Sequence, residues 1–231
     1  MLQLETIARI QSDFQTKFGI PRQSNLVKGL KATIVFEEAF RNPDVIRGLE
    51  DFSHCWLIWG FSENMAKNWS PTVRPPRLGG NERRGVFATR SPFRPNPLGL
   101  SSLPIDSIEL HPTLGPLIHV LGADLMDGTP IYDIKPYIPY ADAHADAVGG
   151  FARQAPDNKL QVLVPEALRH ALPAAVWPVV EELLSLDPRP AYQEDPSRIY
   201  GMLFRGYELR FSVEEKVLTL REVIPDGEEK D

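Results

Sequence analysis

The residues in this chain most able to do chemistry are arginines, and they are crowded. Between positions 71 and 100 stand Arg74, Arg77, Arg83, Arg84, Arg90 and Arg94 against Glu82, with no lysine. That window is +5 inside a chain of net charge −6, so the remaining residues carry −11. Overall acidity excludes a protein whose whole surface grips nucleic acid, but it leaves room for one local anion site. Guanidinium suits that task, because its planar fork matches phosphate or carboxylate and its face stacks on bases. The same window holds six prolines and four glycines. It cannot run as a regular helix: proline fixes φ and removes donors, while glycine opens turns closed to other residues. Arginines on such a frame are partly preorganised for an anionic or nucleotide ligand.

A second constellation is GADLMDGTPIYDIKPY at 122–137. A strand ending in Asp124, Leu125, Met126 and Asp127 and turning through Gly128, Thr129 and Pro130 would set carboxylates and backbone carbonyls beside a tight turn. That arrangement suits a cationic or polar ligand, although the same residues also make a plain Asp-Gly hairpin. Pro21, Arg22 and Gln23 read by themselves as a turn. His54, within FSHCW, reads either as a hydrogen-bonded core histidine or as a catalyst.

Other chemistries lack their residues. No GxGxxG or GxxxxGK phosphate loop and no GxSxG elbow occurs. Histidines at 54, 111, 119, 144 and 170 show no paired ligand spacing, so no metal is expected. Cys55, the single cysteine, cannot form an intrachain disulfide and reads as a buried free thiol. The apolar run at 55–61 is far shorter than the roughly 20 residues of a spanning helix, and no basic-then-apolar leader stands at the N-terminus. A soluble cytoplasmic protein is expected.

The elements that must position these residues read as mainly β. With 231 residues, 42% hydrophobic and 24% charged, the chain suits one main domain with an appendage. Strands are predicted over residues 30–36, 56–61, 85–89, 102–109 and 117–125, and a short helix over 42–49. Regular alternation of strands with helices is absent, which points to an antiparallel or mixed barrel rather than a doubly wound sheet. A small, polar stretch at 141–158 reads as a linker, so the boundary is set near residue 150. Beyond it, strands at 160–164, 199–204, 208–213 and 217–223 and a helix at 174–186 make a small α+β unit. The final DGEEKD is an acidic solvated tail.

PRQ at 21, GLEDFSHCWLIWGF at 48, RPPRLGGN at 74, GVFATRSPFRPNPLGLS at 85 and DGTPIYDIKPYIPYAD at 127, in this order, closely resemble the TrmO family, also called TsaA-like or YaeB-like proteins. DPRPAY at 187 extends the likeness past residue 145. The resemblance implies an S-adenosylmethionine-dependent methyltransferase acting on N6 of threonylcarbamoyladenosine at position 37 of tRNA, beside the anticodon. It also implies a homodimer and a β-barrel catalytic domain unlike the Rossmann methyltransferases. By matching motif, the cofactor pocket would draw on Pro21, Arg22, Gln23, Ser62, Glu63, Arg90, Leu100 and residues 124–130. Family members commonly have histidine where this chain has Ser62, which favours a backbone contact there.

N6 of such a substrate is a poor nucleophile while protonated, so a base must take its proton. Asp127, Asp133 and His54 are the titratable candidates, and all three stay open. Arg74, Arg77 and Arg94 are expected to face RNA, since six forked cations exceed the needs of one small zwitterion. Arg189 and Tyr192 of DPRPAY are expected to contact an unpaired anticodon-loop base. Residues 151–231, net −5, are expected to assist substrate recognition while 1–150 folds and binds the cofactor alone. Two other readings compete: a noncatalytic RNA or phosphate-binding module, and a metal-dependent nucleotide hydrolase using Asp124 and Asp127.

Overall fold

The computed structural model describes residues 3–64, 68–79, 81–153, 159–190 and 195–227. Strands β1 (Ala8–Ser12), β2 (Lys31–Phe36), β3 (His54–Gly60), β4 (Thr72–Val73), β5 (Arg84–Gly85), β6 (Leu98–His111), β7 (Gly115–Leu121) and β8 (Pro130–Pro136) make up the first part. Six of them close a barrel in the order β1-β2-β7-β6-β3-β8, every pair antiparallel, and β4 pairs β5 as a separate ribbon. Apolar alternation drives this closure. Along β2, Ala32, Ile34 and Phe36 are buried, and along β3 so are Cys55, Leu57 and Trp59. They meet Ile10, Leu103, Ile118 and Ile131 inside the barrel. Cys55 is fully enclosed there, and burial pushes its thiol up to about 12, which makes it an inert core residue.

After the short helix α1 (Pro139–Asp142) come β9 (Gln161–Leu163), α2 (Trp177–Ser185), β10 (Tyr200–Phe204), β11 (Tyr207–Glu214) and β12 (Val217–Pro225). The four strands form a sheet in the order β10-β11-β12-β9, with β9 parallel to β12. Helix α2 buries Trp177, Val180, Leu183 and Leu184 in one core with Met202, Phe204 and Phe211 of that sheet. Among the described residues, no helix is long and apolar enough to cross a membrane.

Four local expectations are corrected. Residues 42–49 are not one helix but two 3-10 turns, Pro43–Ile46 and Leu49–Asp51, separated by Gly48 at φ 85°. Asn42 caps the first by accepting from the Asp44 amide. The strand expected at 85–89 ends at Gly85, because Pro71, the next residue on its partner side, has no amide to donate to a longer ladder. The chain turns there through Val86–Ala88. The strand expected to reach residue 125 stops at Leu121, since Gly122 bends away at φ 67° and a Cβ there would stand 2.6 Å from Asn25 Oδ1. The Asp127–Gly128 turn is no hairpin either, because β7 pairs β2 and β6 while β8 pairs β1 and β3.

The two cores do not divide near residue 150, where the boundary was expected. Phe14, Val27 and Leu30, with Phe18 and Ile20 packed against them, belong to the core built by α2 and the second sheet. Gly19 lies so close to Met202 that a Cβ would come within 2.1 Å of its sulfur, and Gly29 meets Val179 in the same way at 2.7 Å. Residues 13–30 are thus a strap, entering from β1, crossing the second unit and returning as β2.

Candidate functional site

The strap carries Pro21, Arg22 and Gln23, and five contacts fix where it lies. Lys17 pairs with Glu63 at 3.5 Å, and the Arg90 guanidinium donates to Gln23 Oε1. The Ser24 amide donates to the Asp124 carboxylate. Asn25, at φ 63°, donates its amide to Gly122 O at 2.9 Å and its side chain to Ser102 O at 2.8 Å. Pieces 34 to 101 residues apart in sequence, namely Gln23, Arg90 and Asp124, therefore meet along one edge of the barrel.

Asp124 is the electrostatic centre of this edge. Its Oδ1 accepts from Ser101 Oγ at 2.7 Å, and that hydroxyl oxygen accepts in turn from Trp59 Nε1 at 3.1 Å. Burial pushes the Asp124 carboxyl above the usual carboxylate range; the Ser101 hydroxyl, its own backbone amide, Arg90 and the Ser24 amide all pull downward without cancelling the rise. One residue before Ser101 on β6, Leu100 points the other way and is 54% exposed. The edge thus sets a desolvated carboxylate near a guanidinium, with Leu100 exposed on the opposite face of the same strand.

The remaining sequence-predicted residues divide. Ser62 and Glu63 open a 3-10 turn just after β3 and are exposed, with Glu63 reaching the strap. Residues 124–130 do not act as one loop. Leu125 and Thr129 are buried, as is Pro130 at the start of β8. Asp127 Oδ1 accepts from the Ser12 amide at 3.0 Å, its own amide donates to Phe14 O, and Gly128 receives Arg9 at its carbonyl. This half of the turn clamps β1 to the root of the strap.

His54 begins β3, six residues and about 20 Å of strand from its Gly60 end. Its Nδ1 lies 2.8 Å from Ser53 Oγ. Asp133 is better placed. In the barrel ladder it stands opposite Ile58, which stands opposite Leu100, so its outward face is two strand spacings, about 10 Å, from Leu100. Its carboxylate accepts from the Ile134 amide and pairs with Lys135 at 2.9 Å.

Of the residues expected to face RNA, Arg74 and Arg77 are exposed on the ribbon. Arg94 is half-buried and donates to Thr89 O at 3.3 Å, bracing the loop it was expected to leave. Arg189 is further still from an open cation. Its side chain is 13% exposed, and it gives both Nε and Nη2 to the Asp187 carboxylate at 2.8 Å. Tyr192 lies outside the described residues. Ser101, Lys17 and Asn25 were not singled out from sequence. Period-two alternation through Gly99, Ser101 and Leu103 would have turned Ser101 inward, but nothing local marked Lys17 or Asn25.

The carboxylates invoked for a metal-dependent hydrolase go to Ser101 and to the Ser12 amide, respectively. No group of three or more His, Cys, Asp or Glu suited to a metal occurs among the described residues.

Two family models match in series: the tRNA-methyltransferase O N-terminal domain over residues 9–143 and the TrmO C-terminal domain over 157–226. The chain belongs to the TrmO family. It is 40% identical over 220 residues to the tRNA (adenine(37)-N6)-methyltransferase of Escherichia coli (strain K12), covering 91% of this chain and 93% of that one. A tRNA (adenine(37)-N6)-methyltransferase of Eikenella corrodens is 44% identical over 75% of this chain and 97% of its own. The crystal structure of TrmO from Pseudomonas aeruginosa superposes with TM-score 0.78 at 31% identity, covering 96% of this chain and 98% of that one. The barrel and the second sheet thus belong to one family architecture. The gap between the two matches, residues 144–156, contains the predicted boundary.

Proposed function

We infer that this chain is an S-adenosylmethionine-dependent methyltransferase that methylates N6 of the adenosine at position 37 of tRNA. Family membership and the curated relatives support the reaction and the tRNA, and two relatives named for S-adenosylmethionine dependence support the donor. The observation that carries it is the meeting of Asp124, Arg90 and Gln23 at one barrel edge. A phosphate-binding module needs the arginines alone and has no use for a carboxylate desolvated among them, so the noncatalytic reading is not favoured.

The residues fit the donor. Asp124 offers negative charge to an ammonium or sulfonium, Arg90 offers a fork to a carboxylate, and Leu100 with the strap backbone at Pro21–Gln23 offers an apolar and amide-lined wall to adenine. When bound, the cofactor supplies a methyl group already activated by sulfonium. The protein's work is then alignment and exclusion of water, with one proton removed from N6 as the new N–C bond forms. Asp133 is the acceptor in this reading, since its carboxylate, paired only at the surface with Lys135, is 43% exposed two strand spacings from Leu100, whereas Asp127 ties β1 to the strap and His54 lies at the far end of β3.

The substrate is read as the threonylcarbamoylated adenosine, whose carbamoyl group makes N6–H more acidic than in adenosine, and the active species as a homodimer in the cytoplasm. Mass analysis of nucleosides from tRNA incubated with the protein and S-adenosylmethionine tests this directly. A methyl gain on threonylcarbamoyladenosine is expected, and a gain on unmodified adenosine instead would move the substrate assignment. Exposed Arg74 and Arg77 serve RNA: replacing both with alanine should raise the apparent tRNA KM and reduce its salt slope by about two counterions. Calorimetry with S-adenosylmethionine should show unchanged cofactor affinity in that variant.

A further inference from the structure

The ribbon that carries the arginines also carries aromatic rings, and their exposure has no role in holding the fold. Phe87 is 78% exposed, Trp69 51% and Phe93 42%. The backbone brings the three together. In the β4–β5 ladder Val73 faces Arg84 and Thr72 faces Gly85, and the Val86 amide, one residue before Phe87, donates to Pro71 O at 3.0 Å. From the other side, the Ser70 amide donates to Phe93 O at 3.4 Å. Trp69, Phe87 and Phe93 are therefore each within one residue of a backbone bond to the Ser70–Pro71 segment.

Phe87 is also held firmly. It is the middle residue of the 3-10 turn Val86–Ala88, whose Val86 is 2% exposed and whose first carbonyl accepts from Thr89 Oγ1 at 2.8 Å. Three residues later Arg90 grips Gln23 of the strap, so Phe87 stands within about 10 Å of chain from the cofactor edge. A rigid, solvated aromatic in a strip of +5 has the chemistry of a base-stacking platform, since unpaired bases stack on aromatic faces while guanidinium forks take the phosphates between them.

We propose that Phe87 is the stacking platform for an unpaired anticodon-loop base next to the target nucleotide, with Trp69 and Phe93 completing the surface. This rests on the tRNA reading above. Charge selects the occupant. A second copy docking isologously through this face would set one +5 ribbon against another, whereas a polyanionic loop neutralises it.

The test uses the full-length protein and a fluorescently labelled anticodon stem-loop RNA, with affinity read by anisotropy at two salt concentrations. Phe87→Ala should weaken RNA binding about tenfold with an unchanged salt slope and unchanged S-adenosylmethionine affinity, because stacking is lost and no counterion is involved. Phe87→Trp should bind like the parent. Equal RNA affinity of Phe87→Ala and the parent overturns the proposal, and so does loss of RNA binding accompanied by a change of oligomeric state in light scattering, which would make the ring an intersubunit contact. A parent protein that binds the stem-loop but methylates no tRNA would sink the catalytic reading and leave the platform to be judged by these two variants.

Discussion

A chain ending near residue 150 is expected to lose S-adenosylmethionine binding altogether, or to be recovered only as aggregate, although every motif assigned to the pocket precedes that point. Sequence predicts the opposite, that 1–150 folds and binds the cofactor alone. The reversal comes from the strap. Phe14, Val27 and Leu30 are at most 2% exposed, and what encloses them is α2 and the second sheet. Exposing the three would forfeit roughly 5 to 9 kcal/mol of apolar burial, comparable to the whole stability of an ordinary domain. The contacts that aim the strap would go too, since Gly19 rests on Met202 and the Arg205 amide donates to Asp13 O at 3.0 Å. Without them, Gln23 and the Ser24 amide lose the support that brings them to Arg90 and Asp124. Calorimetry on the truncated chain, alone and after co-expression with residues 151–231, checks this. Rescue by the second fragment is expected. A soluble truncation that binds the cofactor as tightly as the full chain would return the strap to the barrel.

That reversal shows what was legible and what was not. Alternation at 31–36 and the apolar run before Phe61 identify β2 and β3, since each strand has one face in the barrel core. In β8, by contrast, the turn residues of DGTP and the prolines at both ends mask a strand that Pro130 can begin because a first residue need not donate. β1 is a five-residue strand with only Ala8 and Ile10 turned inward, too short for periodicity to declare itself. At the site, Arg90, Gln23 and Asp124 were reachable because their types are chemically conspicuous. Residues 14–30 were not, because Phe14, Phe18, Ile20, Val27 and Leu30 follow neither a helical nor a strand period. Their partners lie on α2 and the second sheet, beyond residue 159, and no local signal encodes that pairing. The same limit misplaced Arg189, whose proline neighbours suggested a presented cation while Asp187, two residues back, occupies its fork.

Two carboxylates on the barrel's outer edge should separate into two roles under substitution. Asp124→Asn should weaken S-adenosylmethionine binding about tenfold or more, because a net cationic ligand loses its ionised partner while Ser101, itself held by Trp59, keeps a side chain of nearly the same shape to bond. A pH signature accompanies it. In the free protein burial raises the Asp124 pKa, and a cationic ligand favours the ionised form, so binding must lower that pKa and release a proton. Cofactor affinity should therefore be level above the raised free-protein pKa, fall as pH drops through it, and lose that fall in Asp124→Asn. Asp133→Asn should behave differently: cofactor affinity and its pH dependence are kept, since Asp133 lies two strands from Leu100, but kcat drops about a hundredfold or more as N6 loses its proton acceptor. Isothermal titration across a pH series, together with single-turnover methylation, measures both variants on the same protein. If Asp133→Asn turns over like the parent while Asp124→Asn binds cofactor normally yet fails to react, the acceptor is Asp124 and the cofactor's positive end is held by the strap carbonyls instead.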